Sequence, residues 1–193
     1  MRMMAAPMVL AVEGGSFSKA SGGRAVMALL LTEGIVPRRL SFSLIEVDGL
    51  DATDRLIDTM ISLGPWVDLV LSDSVPIAGF NMIDARTIEE RAGKPTVFVL
   101  PDLPDAKGVD GALRKHFPDW RRRLEILAAA GELTTHRLGE GEVHLECVGI
   151  GAGDALRLLE RLTVFGKVPE PIRLARMAAR EASRLVGPRG TSG

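Results

Sequence analysis

The sequence predicts an α/β protein: a mixed sheet begun by an antiparallel meander, continued by alternating helices and strands, with helices on its faces. Three observations predict it. Within residues 7–47, three apolar or alternating runs are separated by short Gly- and Pro-marked connectors; a parallel crossover needs about a dozen residues or more, so these runs pair as a meander. From about residue 51 the apolar period changes from two to that of a helix. Further on, Lys94 to Leu100 is a nearly unbroken apolar run, the mark of a strand buried on both faces.

The elements follow in order. Residues 7–13 (Pro-Met-Val-Leu-Ala-Val-Glu) form the first strand, and the glycine-rich 14–23 is a hairpin connector. Arg24 to Thr32 is the second strand. After the turn marked by Gly34 and Pro37, Leu40, Phe42, Leu44 and Val47 alternate with Ser41, Ser43 and Glu46, which predicts a half-buried third strand. Leu56, Ile57, Met60 and Ile61 stand at helical spacing, with Asp51 or Thr53 placed to cap and Gly64-Pro65 to stop. A strand at 67–72 precedes a helix from near Asn81 to Ala92, closed by Gly93. Beyond the strand at 94–100 come helices near 107–116 and 118–130, a strand at 143–149 and a helix at 154–165. A last helix is opened by Pro169-Glu170-Pro171 and runs to about Val186. No linker, repeat or shift in composition divides the chain, so one domain over 1–187 with a frayed tail at 188–193 is expected.

Bulk properties narrow the function classes. The net charge of −1 gives the chain no overall attraction to nucleic acid or an anionic membrane, so a nucleic-acid site must be a local patch. A single cysteine, Cys147, excludes an internal disulfide framework and a cysteine-based zinc site; set in an apolar strand, it reads as a buried, inert thiol. The three histidines, His116, His136 and His144, lack metal-ligand spacing. No run approaches the roughly 18 apolar residues of a membrane span, and Glu13 and Lys19 interrupt any signal-peptide core, which points to the cytoplasm.

The candidate chemistry lies in two strands that each end on an acid followed by small residues: Glu13 before Gly14-Gly15, and Asp73 before Ser74. Singly, each reads first as a solvated strand-end carboxylate. As neighbours they would meet at a sheet edge, and a cation is the usual means of tolerating two such charges. The expected separation is within about 6 Å, a reach one ion can bridge; arginines clamped across the pair with no room left for a cation would overturn the catalytic reading. Asp51 reads first as a helix cap, and Asp154 falls in the first turn of a helix, where negative charge is favourable anyway. The glycine-rich 14–23 lacks the P-loop order, although Lys19 at its tip is placed to touch a phosphate. Arg173, Arg176, Arg180 and Arg184 share one face of the last helix; with Arg121-Arg122-Arg123 beside Trp120 they are the concentrated basic material. The stripe reads either as a solvated face or as a backbone-contacting patch. With two Trp, six Phe and no Tyr, stacking on single strands is not the obvious mode.

Several of these segments occur together in one known family. Val-Glu-Gly-Gly-Ser-Phe at 12–17, Val-Asp-Gly-Leu-Asp-Ala-Thr at 47–53, Asp73 with Ala-Gly-Phe-Asn at 78–81, and Pro-Glu-Pro-Ile-Arg-Leu-Ala at 169–175 resemble the largely archaeal family 99 of domains of unknown function, relatives of endonuclease V. The resemblance covers nearly the whole chain in order. It implies an RNase H-like fold, with a three-strand meander, then parallel strands and helices on both faces, and a Mg²⁺-dependent (or Mn²⁺-dependent) cut in a nucleic-acid strand made with strand-end carboxylates. By that resemblance Glu13 and Asp73 hold the metal and Asp51 or Asp154 completes the set; Lys19, Arg173, Arg176 and Arg180, from the loop tip and the basic helix face, are the candidate contacts to DNA or RNA. The acidic site departs from the family pattern. Its first position usually reads Asp-Asp-Gly where this chain has Glu13-Gly14-Gly15; Ser74 replaces a glycine; and the late Ser-x-Gly-His is matched by Gly149-Ile150-Gly151-Ala152, leaving Asp154 as the substitute for the missing histidine. The sequence therefore sets a nuclease with a diverged acidic site against a nucleic-acid-binding protein of the same fold that no longer cuts.

Overall fold

The computed structural model describes residues 6–17 and 23–186; Lys19 and the expected tail at 188–193 lie outside them. The meander forms as expected. β1 (Met8–Gly14), β2 (Arg24–Glu33) and β3 (Val36–Glu46) pair antiparallel in sequence order. After α1 (Ala52–Leu63), β4 (Leu69–Ser72) returns to the other side of β1 and pairs with it in parallel, Val9 opposite Leu69 and Ala11 opposite Leu71. α2 (Ala85–Ala92) leads into β7 (Thr96–Leu100), parallel to β4; between β4 and α2 lie β5 (Pro76–Ile77) and β6 (Asn81–Met82), a separate two-stranded hairpin. Then come α3 (Ala106–His116), α4 (Trp120–Ala128), β8 (Thr134–Leu138), β9 (Gly141–Val148), α5 (Ala152–Leu162) and α6 (Glu170–Val186). The seven-stranded sheet has the order β3-β2-β1-β4-β7-β9-β8.

Strand alternation divides the core into two layers. Leu10 and Val12 of β1 join α1, α2, α3 and α4 on one face; Val9 and Ala11, with Leu69 and Leu71 of β4, join α5 and α6 on the other. α6 crosses β1 and β2 with Ile172, Ala175 and Ala179 facing inward.

Four expectations are corrected. The third strand is not half-buried through Leu40, Phe42 and Leu44: these are exposed while Ile45 is buried, because β3 is the sheet edge beyond the reach of α6. In α1, Ile61 is exposed and Leu63 takes the inward position. The helix expected from Asn81 begins at Ala85, with the Asp84 side chain accepting the Thr87 N–H as its cap; Asn81 and Met82 are β6. Finally, β9 runs antiparallel to β7, because the two-residue turn after the unforeseen β8 sends the chain back between them. The polar Thr-Thr-His-Arg of β8 hid that edge strand from a search for apolar runs. Cys147 is half-buried, and burial pushes its thiol up to about 11, with Glu146 adding to the shift. No helix among the described residues is long and apolar enough to cross a membrane.

One buried cation braces the loops that follow β3 and β5. Arg123 is 4% exposed. Its guanidinium donates to the carbonyls of Gly49 (3.1 Å), Phe80 (2.5 Å) and Asp48 (2.8 Å) and to the Asp119 carboxylate (3.0 Å). The Arg-Arg-Arg run is thus partly a tether: its third member is spent inside the protein. Removing it would strand three carbonyls away from water, so Arg123→Ala should lower the unfolding free energy by about 3 kcal/mol, read from urea denaturation. A loss within noise would mean that water replaces the guanidinium without strain.

Candidate phosphodiester site at the ends of two parallel strands

Glu13 and Asp73 are brought together by parity and register. Val9, Ala11 and Glu13 alternate onto the α6 face of β1, and Leu69, Leu71 and Asp73 onto the same face of β4. The pairing of Ala11 with Leu71, carried on two residues, sets the two acids side by side where both strands end. Glu13 Oε1 accepts the Asp73 N–H at 3.3 Å. The cleft above them has a volume of 340 Å³ and is walled by Ser16, Phe17, Ser74, Ile77, Arg176 and Arg180.

α6 closes one side of this cleft because small residues let it descend. A Cβ on Gly15 would lie 1.9 Å from Ser183 Oγ and 2.6 Å from the Ala179 carbonyl oxygen, so only glycine fits there. The helix thereby delivers Arg176 onto both acids. Its Nε lies 3.5 Å from Glu13 Oε2, and its Nη2 donates to Asp73 Oδ2. The four-arginine stripe is divided in function. Arg173 donates to Glu170 at 2.9 Å and stacks over Phe165, and Arg184 pairs with Glu181. Arg180 is exposed at the cleft wall and forms no ion pair among the described residues.

The other two expected acids are placed elsewhere. The Asp51 side chain accepts from the Glu46 N–H (3.1 Å) and from Asn81 Nδ2 (2.7 Å), and Asn81 Oδ1 in turn takes the Ala52 N–H at the start of α1. Asp51 thus knits β3, β6 and α1 together and does not line the cleft. Asp154 sits on the opposite edge of the sheet. β9 ends with Val148 opposite Thr96, the first residue of β7, so α5 starts where β4 and β7 begin, whereas Glu13 and Asp73 lie where β1 and β4 end. Asp154 is exposed there and pairs with Arg157, so it does not stand in for a missing histidine. Sequence reasoning did not single out Ser16 and Ser74, which follow the two acids closely and line the cleft.

Two strand-end carboxylates offer the oxygen donors that a hard divalent cation takes, and Mg²⁺ is commonly held by one or two carboxylates together with substrate phosphates. The pair fits that minimal set. Among the described residues, no group of three or more His, Cys, Asp or Glu converges, so there is no cage made wholly of protein ligands. The clamp anticipated as an obstacle is present in Arg176, which already supplies the positive charge.

Residues 7–183 match the family described as endonuclease dU. The chain belongs to the endonuclease dU family. A UPF0215 protein of Thermococcus gammatolerans is 36% identical over 178 residues, covering 89% of each chain. Another, from Aeropyrum pernix, is 34% identical over 152 residues, covering 78% of this chain and 82% of the relative. Among solved structures, a protein of unknown function from Archaeoglobus fulgidus superposes with a TM-score of 0.78 at 26% identity, over 90% of this chain and 96% of its own. Endonuclease V of Ciona intestinalis, solved with a 24mer DNA containing an inosine followed by a ribo-adenosine, superposes with a TM-score of 0.62 at 13% identity, over 93% and 87%. The endonuclease dU family member described here therefore has the RNase H-like fold of endonuclease V.

The electrostatics of the pair give a pH signature. Glu13 is pushed from an ordinary 4.5 up to about 8, first by burial and then by the charge of Asp73; Arg176 and the Asp73 amide pull the other way without cancelling this. Between these two values the folded protein holds a proton on Glu13 that the unfolded chain has released. This contribution to stability is complete below the lower value and is lost as pH rises through the upper one. Glu13→Gln should remove the loss: by urea denaturation the variant gains on the wild type between about pH 5 and about pH 8.5. Parallel pH profiles for the two proteins would mean that Glu13 stays ionised throughout.

Proposed function

We propose that this protein is an endonuclease acting on DNA that contains deoxyuridine, with the cleft between β1, β4 and α6 as its phosphodiester site. The observation that carries the reading is the convergence of Glu13, Asp73 and two arginines of α6 at the ends of adjacent parallel strands, the place where open α/β sheets engage their ligands. Family and fold support a nuclease-like role in nucleic-acid processing: the family description names an endonuclease and dU, and the fold is shared with an endonuclease V solved on DNA.

In this reading the chain's own residues do two things. Arg180, exposed at the wall, binds a strand phosphate, with the Ser16 and Ser74 hydroxyls beside it. Glu13, 4% exposed, and Asp73 are held on one face by strand register, so their oxygens are oriented before substrate arrives. Glu13 and Asp73 would hold a divalent ion, Mg²⁺ or Mn²⁺, whose contribution would be to polarise the phosphoryl group.

A second reading is favoured by one observation: Arg176 bonds both acids, an arrangement that also suits a protein that binds nucleic acid and no longer cuts it. Strand-cleavage assays with Mg²⁺ or Mn²⁺ separate the two. Labelled DNA with a single deoxyuridine should be cut while its thymidine counterpart is spared, and Asp73→Asn should slow cutting about 100-fold or more. Uncut deoxyuridine DNA that is nevertheless bound in a salt-dependent way would establish the binding-only reading. Arg180→Ala should weaken DNA binding evenly across sequences and reduce the slope of log affinity against log salt by about 1; an unchanged slope would place the strand elsewhere.

A further inference from the structure

The guanidinium of Arg176 stands where a site of two carboxylates needs its cation. We propose that Arg176 is an exchangeable resident cation: in the free protein it pairs with Glu13 and Asp73 and keeps divalent metal out, and a DNA phosphate entering the cleft draws it off, so that metal and substrate enter together. The inference rests on the phosphodiester-site reading above.

Two acids set side by side, one of them buried, need a cation beside them whenever both are ionised. Arg176 supplies it with one planar fork, Nε toward Glu13 and Nη2 toward Asp73. A divalent ion approaching the free protein must therefore break both contacts and turn out a guanidinium, in exchange for only two carboxylates. No third His, Cys, Asp or Glu joins them among the described residues. Mg²⁺-type ions give up their water reluctantly, and such a set is poor without phosphate oxygens.

The geometry gives Arg176 somewhere to go. Its side chain is 31% exposed against 5% for Glu13, so it caps Glu13 from the solvent side, beside the part-exposed Asp73. Its backbone is anchored independently by the buried Ala175 and Ala179, so side-chain rotation alone moves the fork. One helical turn on, Arg180 faces the same cleft. A phosphate between Arg176 and Arg180 would match the guanidinium fork as well as a carboxylate does. Once the fork turns to the phosphate, the two acids regain their need for a cation. Metal and phosphate then bind with positive coupling, and by linkage each raises the affinity of the other by the same factor.

The test is Mn²⁺ titration followed by electron paramagnetic resonance of the free ion, on wild type, Arg176→Met and Arg176→Lys, with and without a short deoxyuridine-containing DNA. Methionine keeps an unbranched apolar side chain and removes the charge; lysine keeps the charge. Without DNA the wild type should bind Mn²⁺ about 10-fold or more weakly than Arg176→Met, with Arg176→Lys staying close to the wild type. DNA should tighten Mn²⁺ binding to the wild type by about 10-fold or more and affect Arg176→Met less. The DNA effect on the wild type needs no variant, so a misfolded substitution does not blunt the test. If wild type without DNA binds Mn²⁺ as tightly as Arg176→Met, or if DNA leaves wild-type affinity unchanged, the resident-cation assignment is overturned while the phosphodiester reading stands. If no protein binds Mn²⁺ even with DNA, both fail.

Discussion

The candidate site depends on one register: the parallel pairing of β1 with β4, in which Ala11 lies opposite Leu71. It sets the side-chain parity of both strands, and parity decides that Glu13 and Asp73 emerge on the α6 face rather than on opposite faces of the sheet. A slip of one residue in either strand would turn its acid into the layer packed by α1 and α2. The long apolar partners of the two strands hold that register. Val9, Leu69 and Leu71 are buried on the α5–α6 side and Leu10 and Val12 on the other, so a slip would also expose both cores.

Around this fixed pair the protein spends polar groups unevenly. At the cleft, the acids meet a single guanidinium and an open wall. Beside it, the loops after β3 and β5 are heavily tied. Arg123 takes three carbonyls, Asp48 takes the Phe80 N–H at 2.8 Å, and Asn81 links β3 to the start of α1. Asp48 and Ala78 adopt positive φ (61° and 47°), a conformation that L-residues hold only when their surroundings enforce it. Ala78 also lines the cleft. One side of the candidate site is thus a heavily tied shelf, and the other is a helix that meets the acids through side chains alone.

The meander, the change of period at residue 51 and the apolar strand at 94–100 were all legible in the sequence, because each rests on hydrophobic spacing. The acids at 13 and 73 were legible too, as charges ending apolar strands. Their shared face was available to simple counting, since 9 and 11 pair with 69 and 71 and two residues more reach 13 and 73, but only once β4 was known to lie against β1. Asp51 and Asp154 were harder to place for a different reason. Both sit in motifs where an acid is useful chemically or structurally, and only the hydrogen bonds of Asp51 and the opposite edge occupied by Asp154 separate the two uses. The role of Arg176 was the least visible. A helical stripe of four arginines looks uniform in one dimension, and what singles out the second is the helix crossing β1 at Ala175.

That crossing has a consequence for how the chain tolerates change. Gly15 carries no functional group, yet its missing side chain sets the height at which the last helix rests on the sheet. A single added methyl there would lift the whole rod, and both guanidiniums would rise with it. The most damaging lesion to this chemistry could therefore come from a residue that takes no part in it, through clearance alone.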